Sequence, residues 1–90
     1  MDFEFDPEKS AANERKHGIG FAAAQALWSD PDRLEVPART EDEPRTALLA
    51  SLRGRVWVAI FTWRDGKVRI ISVRRARPFE RRLYREGGGV

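Results

Sequence analysis

The spacing of apolar and polar residues is helical near the start of the chain and extended after it. Residues 3–5 alternate as a short strand would, and Asp6-Pro7-Glu8 then supplies an N-cap, a first-turn proline and an acid. Because Gly18 can take the left-handed conformation that ends helices, the pattern predicts a helix over residues 7–17. Apolar residues recur at helical intervals over residues 21–28, which predicts a second, short helix.

Beyond residue 32 the pattern is that of four strands and a final helix. The strands are predicted over residues 33–39, 45–52, 55–64 and 67–76, with an acidic loop over residues 40–44 and turns at Arg53-Gly54 and Asp65-Gly66. Pro78 opens the last helix, and we expect Phe79 and Leu83 to dock it on the sheet. The order β-α-α-β-β-β-β-α predicts an α+β fold, an antiparallel sheet with helices packed on it. We expect residues 1–86 to form a single domain and residues 87–90 a flexible tail.

The strand over residues 55–64 is apolar on both faces, as a central strand covered on both sides would be. Trp57, Phe61 and Trp63 share one of these faces. Such aromatic side chains can stack on bases in RNA-binding sheets, but a chain of 90 residues needs its largest side chains for the core. We therefore predict that all three are buried.

Charge is divided unevenly along the chain. Residues 1–50 carry 6 basic and 11 acidic side chains, a net charge of −5, whereas residues 51–90 carry 11 basic and 3 acidic ones, a net charge of +8. The overall charge of +3 conceals this polarity. A strongly basic half favours a polyanionic partner such as RNA or DNA.

Composition excludes several classes of site. The chain has no Cys and one His, so it cannot build a disulfide or a zinc site of ordinary spacing, and it has no Gly-rich phosphate loop. We therefore expect no metal and no cofactor. The longest apolar run, residues 56–61, is too short to cross a membrane, and Asp2 and Glu4 replace the basic start of a signal peptide. We expect a soluble, cytoplasmic protein.

The strand over residues 67–76 has an apolar middle and basic ends. Simple alternation puts Arg69 and Arg75 on one face and Arg74 on the other. At a rim these guanidinium groups can fork onto phosphate oxygens, although they can equally solvate a strand end or pair with Glu80. The sequence pattern alone leaves both interpretations open.

Two helices add further basic residues. Lys9, Asn13, Lys16 and His17 fall within one arc of the first helix, which indicates a polar and basic face. His17 is a candidate for proton transfer near neutral pH, but cations at this position also suit a helix C-terminus. On the last helix, a stripe of arginines is spaced to follow a nucleic-acid backbone or to form an ordinary solvated face: Arg77, Arg81 and Arg85.

Three segments together resemble the BrnT family of toxins from bacterial type II toxin-antitoxin systems. The first runs from Phe3 through Asp6, Lys9, Asn13 and Lys16-His17-Gly18 to Phe21, the second is Arg45, and the third runs from Arg69-Ile70-Ile71-Ser72 through Arg74-Arg75-Ala76 and Glu80-Arg81 to Tyr84. The resemblance implies a compact RelE-like fold and a metal-independent ribonuclease that inhibits translation by cutting RNA. It also implies a BrnA antitoxin, through which alone the complex would contact operator DNA.

The resemblance also suggests roles for particular residues. Catalytic roles would fall to five of them: Arg45, Arg69, Arg74, Arg75 and His17. RNA would be bound by Lys9, Lys16, Arg77 and Arg81, and the site would be supported by Ser72, Glu80 and Tyr84. Pro44 stands where the family more often has glutamate, which constrains the backbone before Arg45. The alternative is a non-catalytic module that holds nucleic acid or an acidic partner on its arginine-rich edge.

Overall fold

The computed structural model describes residues 1–39 and 42–88, and its elements follow the predicted order. They are strand β1 (Phe3–Glu4), helices α1 (Pro7–His17) and α2 (Phe21–Ala24), a 3-10 helix (Gln25–Ser29), strands β2 (Leu34–Ala38), β3 (Arg45–Leu52), β4 (Arg55–Arg64) and β5 (Lys67–Arg75), and helix α3 (Pro78–Gly88). The predicted second helix is thus two short pieces. The last helix runs to Gly88, two residues beyond its predicted end, and part of the predicted acidic loop lies outside the described residues.

The five strands form one sheet in the order β1-β5-β4-β3-β2. The pairs from β2 to β5 are antiparallel as predicted, but β1 joins β5 in parallel, so the sheet is mixed. Both predicted hairpin turns have two consecutive residues with positive φ, at Arg53-Gly54 and Asp65-Gly66. This geometry matches the twist of the strands that the turns connect.

Each face of the sheet carries its own apolar cluster. The helices α1 and α2 and the 3-10 helix cover one face, where Phe21, Leu27 and Phe61 are fully buried. The opposite face holds a smaller cluster around Leu49 and Val58, which Tyr84 of α3 helps to cover. The larger cluster supplies most of the apolar burial, and the smaller one leaves part of its face open to a pocket.

A buried asparagine fixes α1 against the sheet. The Asn13 amide nitrogen donates to the carbonyl oxygens of Val73 (2.8 Å) and Ile19 (2.9 Å), and its amide oxygen accepts from the Val73 N–H (3.1 Å). Because β1 pairs with β5 only at Val68 and Arg69, the Val73 backbone has no neighbouring strand on this side. Asn13 therefore replaces a strand there, and it does not belong to the exposed face on which the sequence pattern placed it.

A bulge in β5 changes the predicted distribution of side chains between the two faces. Ile60 pairs with Ser72 and the next residue of β4, Phe61, pairs with Ile70, so Ile71 is the extra residue. A bulge reverses the alternation of the strand beyond it. Val68, Ile70 and Val73 consequently all face the larger cluster, and the simple alternation assumed for this strand was wrong.

Helix α3 docks through Glu80 and Tyr84, not through Phe79 and Leu83 as predicted. Those two side chains are 55% and 41% exposed. Glu80 is buried instead, and the Tyr84 hydroxyl donates to the Asp30 carboxylate at 2.6 Å. Because Glu80 and Tyr84 fix the rotation of the helix about its axis, Phe79 and Leu83 face the solvent.

Tyr84 is expected to make the free energy of unfolding depend on alkaline pH. Burial and the hydrogen bond to Asp30 raise the pKa of Tyr84 from 10.0 to about 12. The stabilisation is therefore present below pH 10 and is lost as pH rises towards the folded pKa. Tyr84→Phe is expected to lower the free energy of unfolding at pH 7 by about 1–2 kcal/mol and to flatten this alkaline decline. Urea unfolding between neutral pH and pH 11.5 measures both effects, and an unchanged alkaline slope would contradict the assignment.

One of the three aromatic residues predicted to be buried is not. Trp57 and Phe61 lie in the larger cluster, but Trp63 is 56% exposed near the end of β4 and contacts the edge of Phe61. In the described part of the chain, no helix is long and apolar enough to cross a membrane.

Candidate active site

Three of the predicted catalytic arginines lie on the sheet face that carries α3. Arg69 pairs with Thr62 and Arg74 pairs with Val58, so the two arginines lie on either side of the β5 bulge. Thr46 pairs with Phe61, which faces the larger cluster. Because successive side chains of a strand point to opposite faces, Arg45, the residue before Thr46, points to the face that carries α3. Strands lie about 4.8 Å apart, so Arg45 and Arg69, on strands separated by β4, have backbones about 10 Å apart. The bulge is what brings Arg69 and Arg74 to the same face.

A pocket of about 400 Å³ opens on this face, and we call it the α3-face pocket. Its polar lining comes from Arg39, Arg45, Ser72, Arg74 and Glu80. Its floor is apolar and belongs to the smaller cluster, with Ala47, Val58 and Ile60. The pocket is of the size that encloses small-molecule ligands, and it combines an apolar base with a few convergent polar groups.

Glu80 holds Arg74 in a fixed orientation within the pocket. Both terminal nitrogens of the guanidinium donate to the two carboxylate oxygens at 2.8 Å, and the Arg77 N–H donates to the same carboxylate at 2.8 Å. The hydrogen bond from Arg74, aided by the one from Arg77, lowers the pKa of Glu80 despite its burial. The hydrogen bond to Glu80 likewise raises the pKa of Arg74. Arg74 is therefore a permanently charged and preorganised donor.

Arg45 and Arg69 have looser partners. Arg45 lies 4.0 Å from Glu43, and Arg69 lies 3.7 Å from Glu4, so neither pair is a close hydrogen-bonded fork. The Nε–H of Arg45 is buried and finds no acceptor among residues 1–39 and 42–88. A buried donor without an acceptor costs free energy.

The other two predicted catalytic residues line a different hollow, on the opposite side of the sheet. His17 and Arg75 border a space of about 490 Å³ between the end of α1 and the β3–β4 turn, which we call the end hollow. Its remaining charged lining consists of Glu14, Arg53 and Arg55, and Trp57 forms part of its wall. Of the five predicted catalytic residues, two thus line the α3-face pocket and two line the end hollow, whereas Arg69 lies on the α3 face of the sheet and lines neither.

The predicted RNA-binding and supporting residues are distributed around both sites. Lys9 and Lys16 are exposed on α1, and Arg77 is exposed at the start of α3. Arg81 donates to the Ala76 carbonyl oxygen at 3.0 Å and borders a third, smaller hollow. Tyr84 anchors α3 outside the α3-face pocket, whereas Ser72 and Glu80 line it.

Sequence reasoning missed three arginines that border these sites. Arg39 lines the α3-face pocket because Ala38, next to it, pairs with Arg45 across the β2–β3 ladder. Arg53 and Arg55 flank Gly54 in a tight turn and line the end hollow. The sequence pattern predicted this turn, and the two arginines beside Gly54 were the feature that could have indicated the basic lining.

The α3-face pocket can hold a phosphate group and stabilise added negative charge on it. Guanidinium groups that are fixed in advance donate to phosphate oxygens in a forked geometry. In a partly buried site they stabilise developing charge better than they do in water. These properties suit phosphodiester chemistry.

A comparison with protein families places the chain beside known ribonuclease toxins. The model of a family described as "Ribonuclease toxin, BrnT, of type II toxin-antitoxin system" matches residues 5–80. The matched region contains Arg45, Arg69 and Arg74, and it ends at Glu80, the partner of Arg74. No curated protein matches the chain.

Proposed function

Since the chain belongs to the BrnT family of ribonuclease toxins of type II toxin-antitoxin systems, we propose that it is a RelE-like, metal-independent endoribonuclease that inhibits translation by cutting RNA. We assign the cleavage site to the α3-face pocket, which Arg45 and Arg74 line, and we assign to Arg69, which lies on the same face outside the pocket lining, a share in holding the scissile phosphate. The observation that carries this assignment is the β5 bulge, which puts all three arginines on one face beside a pocket of about 400 Å³.

The reaction in this proposal is an internal transfer at phosphorus. The ribose 2′-oxygen attacks the adjacent phosphorus, so the P–O2′ bond forms and the P–O5′ bond breaks. The 2′-hydroxyl loses its proton to a base, and the departing 5′-oxygen takes up a proton. The products are a 2′,3′-cyclic phosphate and a 5′-hydroxyl. Arg45, Arg69 and Arg74 stabilise the charge that collects on the non-bridging oxygens in the transition state.

The charge of the pocket supports metal independence. Hard cations such as Mg²⁺ need oxygen ligands, and carboxylates supply most of the binding. The only carboxylate in the described pocket lining is that of Glu80, which Arg74 already holds with both of its terminal nitrogens. Because Arg39, Arg45 and Arg74 belong to the same lining, we assign the positive charge of the site to arginines and not to a metal.

The antitoxin of this system would be a BrnA-like protein that covers the basic surface, with a separate DNA-binding part that contacts operator DNA. Membership of a type II family gives an antitoxin partner and an RNA substrate in general terms. The exposed Phe79 and Leu83 on α3 favour contact with a protein, because interface cores are enriched in such side chains. Neutralisation would follow if this contact closed the neighbouring α3-face pocket.

Cleavage of RNA by the purified protein in the presence of EDTA tests the proposal. We expect EDTA to leave the cleavage rate within about twofold of the untreated rate, because arginines carry the charge stabilisation. Product analysis should show 2′,3′-cyclic phosphate ends, and RNA with 2′-O-methyl groups throughout should resist cutting.

Two outcomes would contradict the proposal. Cleavage that disappears in EDTA and returns with Mg²⁺ would refute metal independence. Binding of RNA without any cutting would favour the alternative, a non-catalytic binding module. The close pairing of Arg74 with Glu80 is the observation that suits this alternative.

A further inference from the structure

The end hollow has a donor-rich lining that the proposed cleavage site does not use. Arg53, Arg55 and Arg75 surround it together with His17, and Glu14 is the single acidic side chain in the lining. The hollow lies on the α1 side of the sheet, so these groups cannot contact a phosphate bound in the α3-face pocket. A separate anion is the ligand that suits them.

A buried indole forms part of the wall of the end hollow. Trp57 is 8% exposed, and its Nε1–H is buried with no acceptor in the described part of the chain. Indole nitrogen can only donate, and buried tryptophan N–H groups usually find a partner. Because Trp57 forms part of the wall, its indole ring is placed to respond to an anion bound in the hollow.

The basic lining continues beyond the end hollow. A smaller hollow of about 180 Å³ shares Arg55 and Arg75 with it, and its other charged residues are Arg81 and Arg85. Together the two hollows form a continuous surface, which we call the basic track, along the end of the sheet. Its arginines are Arg53, Arg55, Arg75, Arg81 and Arg85.

The basic track differs from the α3-face pocket in how its charges are compensated. Across residues 1–39 and 42–88, no salt bridge involves a track arginine, whereas Arg45, Arg69 and Arg74 each have a carboxylate partner. Arg53 also holds a costly backbone conformation, with φ of 54° at a turn position that favours Asn, Asp or Gly. The fold thus presents uncompensated guanidinium groups here.

We propose that the basic track binds the phosphate backbone of the RNA substrate away from the cut, with one phosphate in the end hollow. This proposal rests on the proposed ribonuclease function for the identity of the polyanion. The track would hold a stretch of RNA that continues from the α3-face pocket around the end of the sheet. It would supply affinity, while the α3-face pocket supplies chemistry.

RNA suits the track better than an acidic protein segment does. In the described lining of the track, every basic side chain other than His17 is arginine, the residue that forks onto phosphate and is prominent in nucleic-acid recognition. Protein interfaces usually centre on exposed apolar anchors. Among the described residues the large exposed ones are Met1, Trp63, Phe79 and Leu83, none of which lines either hollow.

Binding of fluorescent 2′-O-methyl RNA, which has no free 2′-hydroxyl, tests the track without requiring cleavage. Arg53→Asn combined with Arg55→Gln removes two track cations, and asparagine also suits the turn, so folding should be preserved. At about 0.1 M salt each single-strand phosphate contact is worth a factor of about 5, so affinity should fall about 25-fold. The slope of log affinity against log salt should weaken by about 1.4.

The matched control carries the same change in charge elsewhere. Arg15→Gln combined with Arg82→Gln removes two exposed arginines outside both hollows. Its affinity should stay within about threefold of the wild type, since long-range charge alone is screened at this salt. Equal losses in the two double variants would overturn the track as a specific site.

The indole resonance of Trp57 reports on the end hollow directly. The resonance is assigned in a ¹⁵N NMR spectrum by its absence in Trp57→Phe. It should shift when 2′-O-methyl RNA is added to the wild type. At the same RNA concentration it should not shift in the Arg53→Asn, Arg55→Gln variant. RNA binding that leaves the resonance unmoved would overturn the proposal. A shift with polyglutamate at equal or higher affinity would assign the hollow to an acidic protein segment instead. If natural RNA is bound on the track but never cut, the proposed function fails and the track stands.

Discussion

Replacing Arg45 by alanine is expected to lower the rate of RNA cleavage at saturating RNA by about 10²-fold or more. Its guanidinium lines the α3-face pocket, its Nε–H is buried without an acceptor in the described chain, and Glu43 lies 4.0 Å away. It is therefore charged, only loosely held and available to a phosphate. Single-turnover cleavage of a labelled RNA at saturating enzyme measures the effect on the chemical step.

Arg64→Ala is the matched control for this prediction. Arg64 lies 3.6 Å from Glu43, the same carboxylate that Arg45 approaches, but it does not line the α3-face pocket. Its removal makes the same change in net charge and should leave the cleavage rate within about threefold of the wild type, as expected for a surface ion pair. Arg45→Lys should retain part of the rate because it keeps the charge and loses the fork. A full rate in Arg45→Ala would remove Arg45 from the site.

The largest effect on stability is expected from Asn13→Ala. The substitution removes three hydrogen bonds and leaves the N–H and C=O of Val73 and the C=O of Ile19 without their partner in the core. Buried polar groups without partners cost about 1–3 kcal/mol each, and partial access of water reduces the sum, so we expect a loss of about 2–4 kcal/mol. For a chain of this size that lowers the melting temperature by about 10–20 °C.

Thermal and urea unfolding of Asn13→Ala, beside Arg15→Ala, check this expectation. Arg15 is exposed on the same helix, and its replacement should change stability by less than about 0.5 kcal/mol. Asn13→Asp should be as damaging as Asn13→Ala, because it removes both donors and buries a charge. A loss below about 1 kcal/mol in Asn13→Ala would show that the clamp on β5 is not needed.

Local signals in the sequence predicted most of the fold. The first helix begins at Pro7 and ends at His17 as expected, because its cap residues act on their immediate neighbours: Asp6 accepts from the Glu8 N–H, and Gly18 has φ of 84°. The Asp65-Gly66 turn likewise has the geometry that its two residues favour. Caps and turns are decided within a few residues, so the sequence reports them reliably.

What the sequence did not predict depends on contacts between distant residues. The β5 bulge at Ile71 accompanies the bond from Asn13 to Val73, 60 residues away in the chain, and no local pattern indicates it. The outward orientation of Phe79 and Leu83 depends on the anchoring of Tyr84 by Asp30, a pair 54 residues apart. Apolar periodicity predicts the face of a helix only when no polar pair holds the helix in another orientation.

The same limitation affected the candidate site. The resemblance to the BrnT family selected Arg45, Arg69, Arg74, Arg75 and His17 together, but a motif does not say which face of the sheet its members occupy. Because the bulge reverses alternation within the motif, Arg69 and Arg74 share a face while Arg75 faces the end hollow with His17. The division of these residues between the two faces of the sheet is a property of the fold.

Single-turnover cleavage of one labelled RNA in EDTA by two double variants tests most directly whether the α3-face pocket is the cleavage site. Arg45→Gln with Arg69→Gln should reduce the rate at saturating enzyme by about 10³-fold or more. His17→Gln with Arg75→Gln should mainly weaken RNA binding and keep the saturating rate within about tenfold of the wild type. The opposite result, with chemistry lost in the His17 and Arg75 variant and retained in the Arg45 and Arg69 variant, would move the cleavage site to the end hollow.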